Sequence, residues 1–135
     1  MRIVVDTNII LVAVSRRSPY NWVFQKLKNG EFKLCVSTEI LAEYAEVIER
    51  HMGAEVSQVV LQAITELPNV EKVEVFYRWQ LVRDPDDNKF TDCAIAARAK
   101  CLVTNDSDFR VLKEIDFPKV TILSLKEFKE HLENH

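Results

Sequence analysis

Short apolar runs alternate with longer amphipathic stretches along this chain. The apolar runs predict five strands, over residues 3–5, 32–36, 70–76, 101–104 and 120–123. The amphipathic stretches predict helices over about residues 19–29, 38–51, 54–67 and 89–99, with a last helix after Ser124. Strands that alternate with helices through short connections form parallel sheets. The pattern therefore predicts an α/β fold with three layers, in which helices cover both faces of a central five-stranded parallel sheet.

The first strand is predicted to lie in the middle of that sheet. Ile3, Val4 and Val5 are consecutive and β-branched, which suits a strand that is covered on both faces. Asp6 follows directly and so falls at the carboxyl end of the strand. Because ligands of open α/β sheets bind at that edge, Asp6 is a candidate for the floor of an active site.

Length and composition set further bounds. The chain has 135 residues, of which 47% are hydrophobic, and this suits one domain with a core of its own. We therefore treat residues 1–135 as a single domain. No apolar run is long enough to span a membrane, and Asp6 and Asn8 interrupt the apolar N-terminal stretch, so we expect a cytoplasmic protein.

Cysteine and histidine are not expected to carry chemistry. Cys35, Cys93 and Cys101 form no CxxC pair and lie beside apolar residues, which predicts buried thiols. The three histidines are scattered, and His131 and His135 lie at the C-terminus, where tails fray. The net charge of -3 argues against a broad basic surface for nucleic acid, but it does not exclude a nuclease whose acids hold divalent ions.

Acidic residues follow two of the predicted strands. Asp6 ends the first, and Asp106 comes shortly after the fourth. A single aspartate in such a place is most often a helix cap or a turn residue. Parallel strands, however, bring both ends to the same edge of the sheet, and two acids at one edge indicate a shared site.

Helix geometry adds a third acid. In the helix predicted after Ser37, Glu43 lies about 100° from the centre of the apolar face. Glu39, Glu46 and Glu49 lie about 140° to 160° from it. Glu43 is therefore the carboxylate nearest the buried side, although a boundary glutamate with a hydrated head would show the same pattern.

Asp92 is the fourth candidate. It lies in the first turns of the alanine-rich helix, where the helix dipole favours an anion. Asp86, Asp87 and Asn88 are better placed to cap this helix, which leaves Asp92 for another role.

Four carboxylates in one cleft call for a cation. They repel one another unless a positive charge neutralises them. Oxygen ligands without histidine or thiolate select hard ions, so Mg²⁺ or Mn²⁺ is expected. Such ions activate water for attack on a phosphodiester. The chemistry that this arrangement predicts most directly is the hydrolysis of a nucleic acid.

Four segments resemble the motifs of the PIN-domain nucleases, and they occur in the order of that family. They are Val-Val-Asp-Thr-Asn around Asp6, Ser-Thr-Glu-Ile-Leu-Ala-Glu-Tyr around Glu43, Asp-Cys-Ala-Ile-Ala-Ala from Asp92, and Val-Thr-Asn-Asp-Ser-Asp-Phe around Asp106. The resemblance covers essentially the whole chain, and it is the combination of motifs that is specific.

The resemblance implies a Mg²⁺- or Mn²⁺-dependent endoribonuclease that acts on RNA and is often a homodimer. Many small members are VapC-type toxins, so it also implies an antitoxin protein as partner. By similarity, the catalytic metal ligands would be Asp6, Glu43, Asp92 and Asp106. Hydrogen-bonding support would come from Asn8 and Thr104. Asp87 and Asp108 would support these ligands or substitute for them.

Other enzyme classes that use a strand-end aspartate match less well. A haloacid-dehalogenase phosphatase needs a second aspartate where Asn8 stands, and a receiver domain needs one after the third strand, which residues 73–79 lack. With only Gly30 and Gly53, the chain has no glycine-rich phosphate loop.

The alternative that stays open is a PIN-like module that binds RNA or a protein without cutting. Arg16, Arg17, Tyr20 and Trp22 are a candidate surface for such binding, although a hydrated loop followed by a helix with core aromatics explains them as well.

Overall fold

Five parallel strands form the centre of the protein in a computed structural model, which describes residues 1–134. They are β1 (Arg2–Val5), β2 (Lys33–Val36), β3 (Val70–Lys72), β4 (Cys101–Val103) and β5 (Ile122–Leu123). The strand order is β3-β2-β1-β4-β5, and every neighbouring pair is parallel. This architecture confirms the predicted α/β fold and the central place of β1. His135 lies outside the described residues.

Helices connect the strands and cover the sheet. They are α1 (Thr7–Val14), α2 (Trp22–Lys28), α3 (Thr38–Met52), α4 (Ala54–Glu66), α5 (Asn88–Ala97) and α6 (Leu125–Glu133). Two 3₁₀ helices, Pro85–Asp87 and Ser107–Glu114, lie in the connections on either side of α5 and β4. None of the helices described has both the length and the apolar character that crossing a membrane requires.

The core is built around the two central strands. Ile3, Val4, Leu102 and Val103 are completely buried, and burying a side chain of this size contributes about 1.5–3 kcal/mol. The Tyr44 hydroxyl donates a hydrogen bond to the backbone carbonyl of Val5, which ties α3 to the end of β1. The carboxyl end of β1 is therefore a fixed position in the molecule.

Local hydrogen bonds explain where α3 and α6 begin. The Ser37 hydroxyl accepts from the backbone N–H of Ile40 at the start of α3, and Ser124 and Glu127 form the predicted capping box of α6. All three cysteines are free and buried, as predicted.

Several predicted boundaries were wrong by two residues or more, and one of them is the start of β5, which lies at Ile122 and not at residue 120. The second helix begins at Trp22 and not at residue 19, because the Ser18 hydroxyl accepts from the backbone N–H of Tyr20 in a local turn. The third strand ends at Lys72 and not at residue 76, since β2, its partner, has already turned into α3. Helix α5 ends at Ala97 because Arg98 takes a left-handed conformation with φ 52°.

Helix α1 and the second 3₁₀ helix were not predicted at all, and both matter for the site. Helix α1 begins directly after Asp6, and the second 3₁₀ helix begins directly after Asp106. Each of these aspartates therefore stands at the junction between a buried strand and the first turn of a helix.

Candidate active site

Asp6 lies at the carboxyl end of β1, where it is 6% exposed. Its backbone N–H donates to the carbonyl of Val103 at 3.0 Å, which fixes it against β4. Burial raises the pKa of Asp6, while hydrogen bonds from the Thr104 hydroxyl and the Asn8 backbone N–H act in the opposite direction. The charges of Asp106 and Glu43 raise this pKa further, so both acids lie close enough for Asp6 to sense them.

Thr104 links Asp6 to Asp106. Its hydroxyl donates to Oδ2 of Asp6 at 2.9 Å and accepts from the backbone N–H of Asp106 at 3.0 Å. Oδ1 of Asp106 in turn accepts from the backbone N–H of Asp108 at 2.9 Å, in the first turn of the 3₁₀ helix. One hydroxyl thus sets the relative positions of two acids that are far apart in the sequence.

Glu43 reaches the same edge from α3. Its carboxylate accepts a hydrogen bond from the Thr7 hydroxyl, and Oε1 lies 2.8 Å from Nζ of Lys89. Glu43 is half-buried, whereas the other glutamates of α3 are exposed, as the helix geometry predicted. Thr7 and Lys89 were not singled out from the sequence, because only the fold shows that they face Glu43.

Asp87 joins these acids from the 3₁₀ helix before α5. Carboxylate oxygens of Asp87, Asp106 and Asp108 lie within 4.8 Å of one another. Burial, followed by the charges of Asp84, Asp106, Asp6 and Asp108, raises the pKa of Asp87 to about 7. We refer below to Asp6, Glu43, Asp87, Asp106 and Asp108 as the acidic group.

Asp92 is placed elsewhere. It is 2% exposed, and its Oδ1 accepts from the backbone N–H of Trp79 at 3.0 Å. Burial raises the pKa of Asp92, while the hydrogen bond from Trp79 and the charge of Arg78 lower it. The charge of Glu39 also raises it. Among the described residues, Asp92 is therefore not one of the carboxylates that are grouped with Asp87, Asp106 and Asp108.

Asp86, Asp87 and Asn88 were the predicted caps of α5, but this helix has no side-chain cap. Asp84 caps the preceding 3₁₀ helix Pro85–Asp87, since its Oδ1 accepts from the backbone N–H of Asp86 at 2.9 Å. Asp87 occupies the position before α5 but makes no capping hydrogen bond with its side chain. The Asp84-Pro85 pair is a turn signal that could have assigned the cap of the 3₁₀ helix to Asp84.

Comparison with known proteins identifies the family and the fold of this chain. The family model of the PIN domain matches residues 2–108. The chain belongs to the PIN domain family. No curated protein matches the chain at a significant level.

Several solved structures share the fold of this PIN domain. VapBC2 from Rickettsia felis, bound to a DNA fragment from its promoter, has 21% sequence identity and a TM-score of 0.65, with 92% of this chain and 98% of that chain covered. VapC20 from Mycobacterium tuberculosis, a toxin that cleaves the sarcin-ricin loop, has 15% identity and a TM-score of 0.60, with 80% and 92% covered. The PIN domain of human SMG5 has 13% identity and a TM-score of 0.56, with 97% and 99% covered.

The donor chemistry of this PIN domain suits a hard divalent cation. The acidic group offers carboxylate oxygens alone, which is the ligand type that Mg²⁺ and Mn²⁺ prefer. Lys89 is paired with Glu43 and offsets one of the five negative charges. The remaining repulsion is visible in the raised pKa of Asp87, and a bound cation would relieve it.

Proposed function

We propose that this PIN domain is a cytoplasmic, Mg²⁺- or Mn²⁺-dependent endoribonuclease that serves as the toxin of a toxin–antitoxin pair. The observation that carries the proposal is the acidic group itself, in which side chains from four separate segments meet at the carboxyl edge of β1 and β4. Such a concentration of like charge lowers the stability of the fold. A bound cation that acts on phosphate would offset this loss.

Asp6, Glu43 and Asp106 keep the ligand roles that the sequence predicted, and Asp87 takes the role predicted for Asp92. Asp87 is the better candidate because one of its carboxylate oxygens lies within 4.8 Å of an oxygen of Asp106 and of an oxygen of Asp108. Asp108 supports the group from its exposed rim. Asp92 instead has a structural role through the Trp79 backbone.

The protein's own part in the reaction is to hold these oxygens in place. Thr104 and the backbone N–H of Asn8 orient Asp6, while Thr7 and Lys89 orient Glu43. When bound, a divalent ion activates water for in-line attack on a phosphodiester and stabilises the leaving oxygen. Preorganised ligands keep the cost of reorganisation low during this step.

The biological role is proposed by analogy. The Rickettsia felis structure is a VapBC complex, and the Haemophilus influenzae VapBC-1 structure shares this fold at 18% identity and a TM-score of 0.57. By that analogy, we propose that a small antitoxin protein neutralises the present chain and that the active form is a homodimer.

RNA cleavage in the presence and absence of metal tests the proposal. Purified protein is incubated with a mixture of structured and single-stranded RNA in Mn²⁺ or in EDTA. We expect cleavage in Mn²⁺ alone, with a loss of about 100-fold or more in Asp6→Asn and in Asp106→Asn. Asp116→Asn is the matched control, because Asp116 is an exposed aspartate outside the acidic group.

Thermal unfolding gives a second readout that does not depend on activity. Mn²⁺ should raise the melting temperature of the wild type and of Asp116→Asn, and it should raise that of Asp6→Asn much less. RNA binding without cleavage, and with no stabilisation by Mg²⁺ or Mn²⁺, would replace this proposal with the non-catalytic binding module. Equal cleavage by all variants would identify a contaminating nuclease and remove the catalytic assignment.

A further inference from the structure

Four large aromatic side chains are unusually exposed. Phe76, Tyr77 and Phe117 are 79%, 75% and 85% exposed, and Trp79 is 36% exposed. The Trp79 ring lies 6.4 Å from the Tyr77 ring and 6.5 Å from the Phe117 ring, measured between centroids. Three of these rings thus form one contiguous patch, and exposed apolar patches of this kind mark interaction sites.

The patch is linked to the acidic group through α5 and Lys89. The backbone N–H of Trp79 donates to the buried Asp92 in the first turns of α5, the helix that begins directly after Asp87. A cleft of two lobes, each of about 490 Å³, has Arg78, Lys89 and Asp92 in the lining of both lobes, with Phe76 in one lobe and Arg83 in the other. Lys89 in turn contacts Glu43. The cleft therefore extends from Phe76 and the two arginines to the lysine that is paired with Glu43.

Cations alternate with the aromatic residues in this segment. Residues 76–83 read Phe-Tyr-Arg-Trp-Gln-Leu-Val-Arg, with two arginines and no acid. Arg78 lies 2.6 Å from Glu39, which holds its side chain at the border of the cleft. Arg83 is exposed, and no acid among residues 1–134 forms an ion pair with it.

We propose that Phe76, Tyr77, Arg78, Trp79, Arg83 and Phe117 form a base-stacking strip that binds the RNA beside the bond to be cut. Aromatic faces stack on bases whatever their identity, and neighbouring arginines contact the phosphates. A strip of this kind binds bases that are splayed out, because the faces of paired bases are already covered by their neighbours in a duplex. The cutting step rests on the function proposed above, whereas the binding step requires no cation.

A second copy of this chain is a less suitable occupant. Four partly exposed rings offer on the order of 500 Å², while a standard interface buries about 800 Å² on each partner. A permanent partner on the strip would also cover the cleft that leads to the acidic group. The position of the arginines and of the cleft favours RNA.

Fluorescence anisotropy in EDTA tests the strip without cleavage. The probe is a labelled RNA of about 12 nucleotides, either single-stranded or paired with its complement, in the Asp6→Asn background. We expect Tyr77→Ala/Trp79→Ala to weaken single-strand binding about tenfold or more and Trp79→Phe to retain most of it. The alanine at position 79 keeps the backbone N–H, so the bond to Asp92 survives.

Val59→Ala is the matched control, because Val59 is a 63% exposed apolar side chain on α4, outside the strip and the acidic group. It should bind RNA like its parent. Equal binding of single-stranded and duplex RNA, or unchanged binding by Tyr77→Ala/Trp79→Ala, would overturn the proposal. A change of oligomeric state in that double variant with unchanged RNA binding would also overturn it, in favour of an interface between copies.

The two proposals fail in different ways. Strip-dependent RNA binding without any metal-dependent cleavage would uphold the strip and refute the nuclease. Normal cleavage by Tyr77→Ala/Trp79→Ala with Asp6 intact would refute the strip and uphold the nuclease.

Discussion

Asp87 and Asp92 lie five positions apart, yet their surroundings differ in almost every respect. Asp87 is partly exposed and faces other carboxylates, and partial burial together with their charges raises its pKa to about 7. Asp92 is buried and has a backbone N–H as hydrogen-bond donor and an arginine nearby. The comparison teaches that an acid is a candidate for cation binding when its neighbours leave its charge uncompensated, and not simply when it is buried.

The largest expected difference is in catalysis. Asp87→Asn should lower the rate of RNA cleavage about 100-fold or more, because it removes a charge from the acidic group. Asp92→Asn should stay within about tenfold of the wild type. Single-turnover cleavage in Mn²⁺ measures both. If Asp92→Asn loses as much activity as Asp87→Asn and still unfolds at the same urea concentration as the wild type, Asp92 is a ligand after all.

The next difference is in stability. Asp92→Ala should lower the free energy of unfolding by about 2 kcal/mol, because the backbone N–H of Trp79 loses its acceptor. Urea unfolding in EDTA measures this change. Asp116→Ala, at an exposed site, should change the same quantity by less than about 0.5 kcal/mol. A neutral Asp92→Ala would show that the Trp79 segment is not anchored by this bond.

The smallest expected effect is an increase in the free energy of unfolding, on substitution of Asp87. The folded-state pKa of Asp87 is about 7, above its ordinary value of 3.8, so the folded chain holds the proton more tightly. Stability is therefore lost as the pH rises from about 4 to about 7. Asp87→Asn should remove this loss and stabilise the metal-free protein at pH 8 by about 1 kcal/mol, a value reduced for solvent screening.

Urea unfolding at pH 8 and pH 4 in EDTA measures the effect of Asp87→Asn, which should vanish at the lower pH. Mn²⁺ should then reverse the order of stability at pH 8, since the wild type binds the ion and the variant binds it weakly. A variant that is less stable than the wild type in EDTA at both pH values would contradict the repulsion inferred for Asp87.

Much of the fold could be predicted because it depends on local patterns. The five apolar runs and the serines before α3 and α6 indicate their elements without knowledge of the rest of the chain. Glu43 was distinguished from the other glutamates of α3 by helical periodicity alone. The end of β3 could not be predicted, because it depends on where β2 stops.

The four acidic motifs and the PIN family were readable from the sequence by itself, since both depend on residue identities and their order. The surroundings of Asp87 and Asp92 were decided only by the tertiary structure, and the proposal that Asp87 is the ligand rests on them. Local rules offer several residues as caps of α5, and the structure uses none of their side chains for that purpose. Hydrogen bonds and charges act through space, so the residues that compensate an acid are fixed only when the chain has folded.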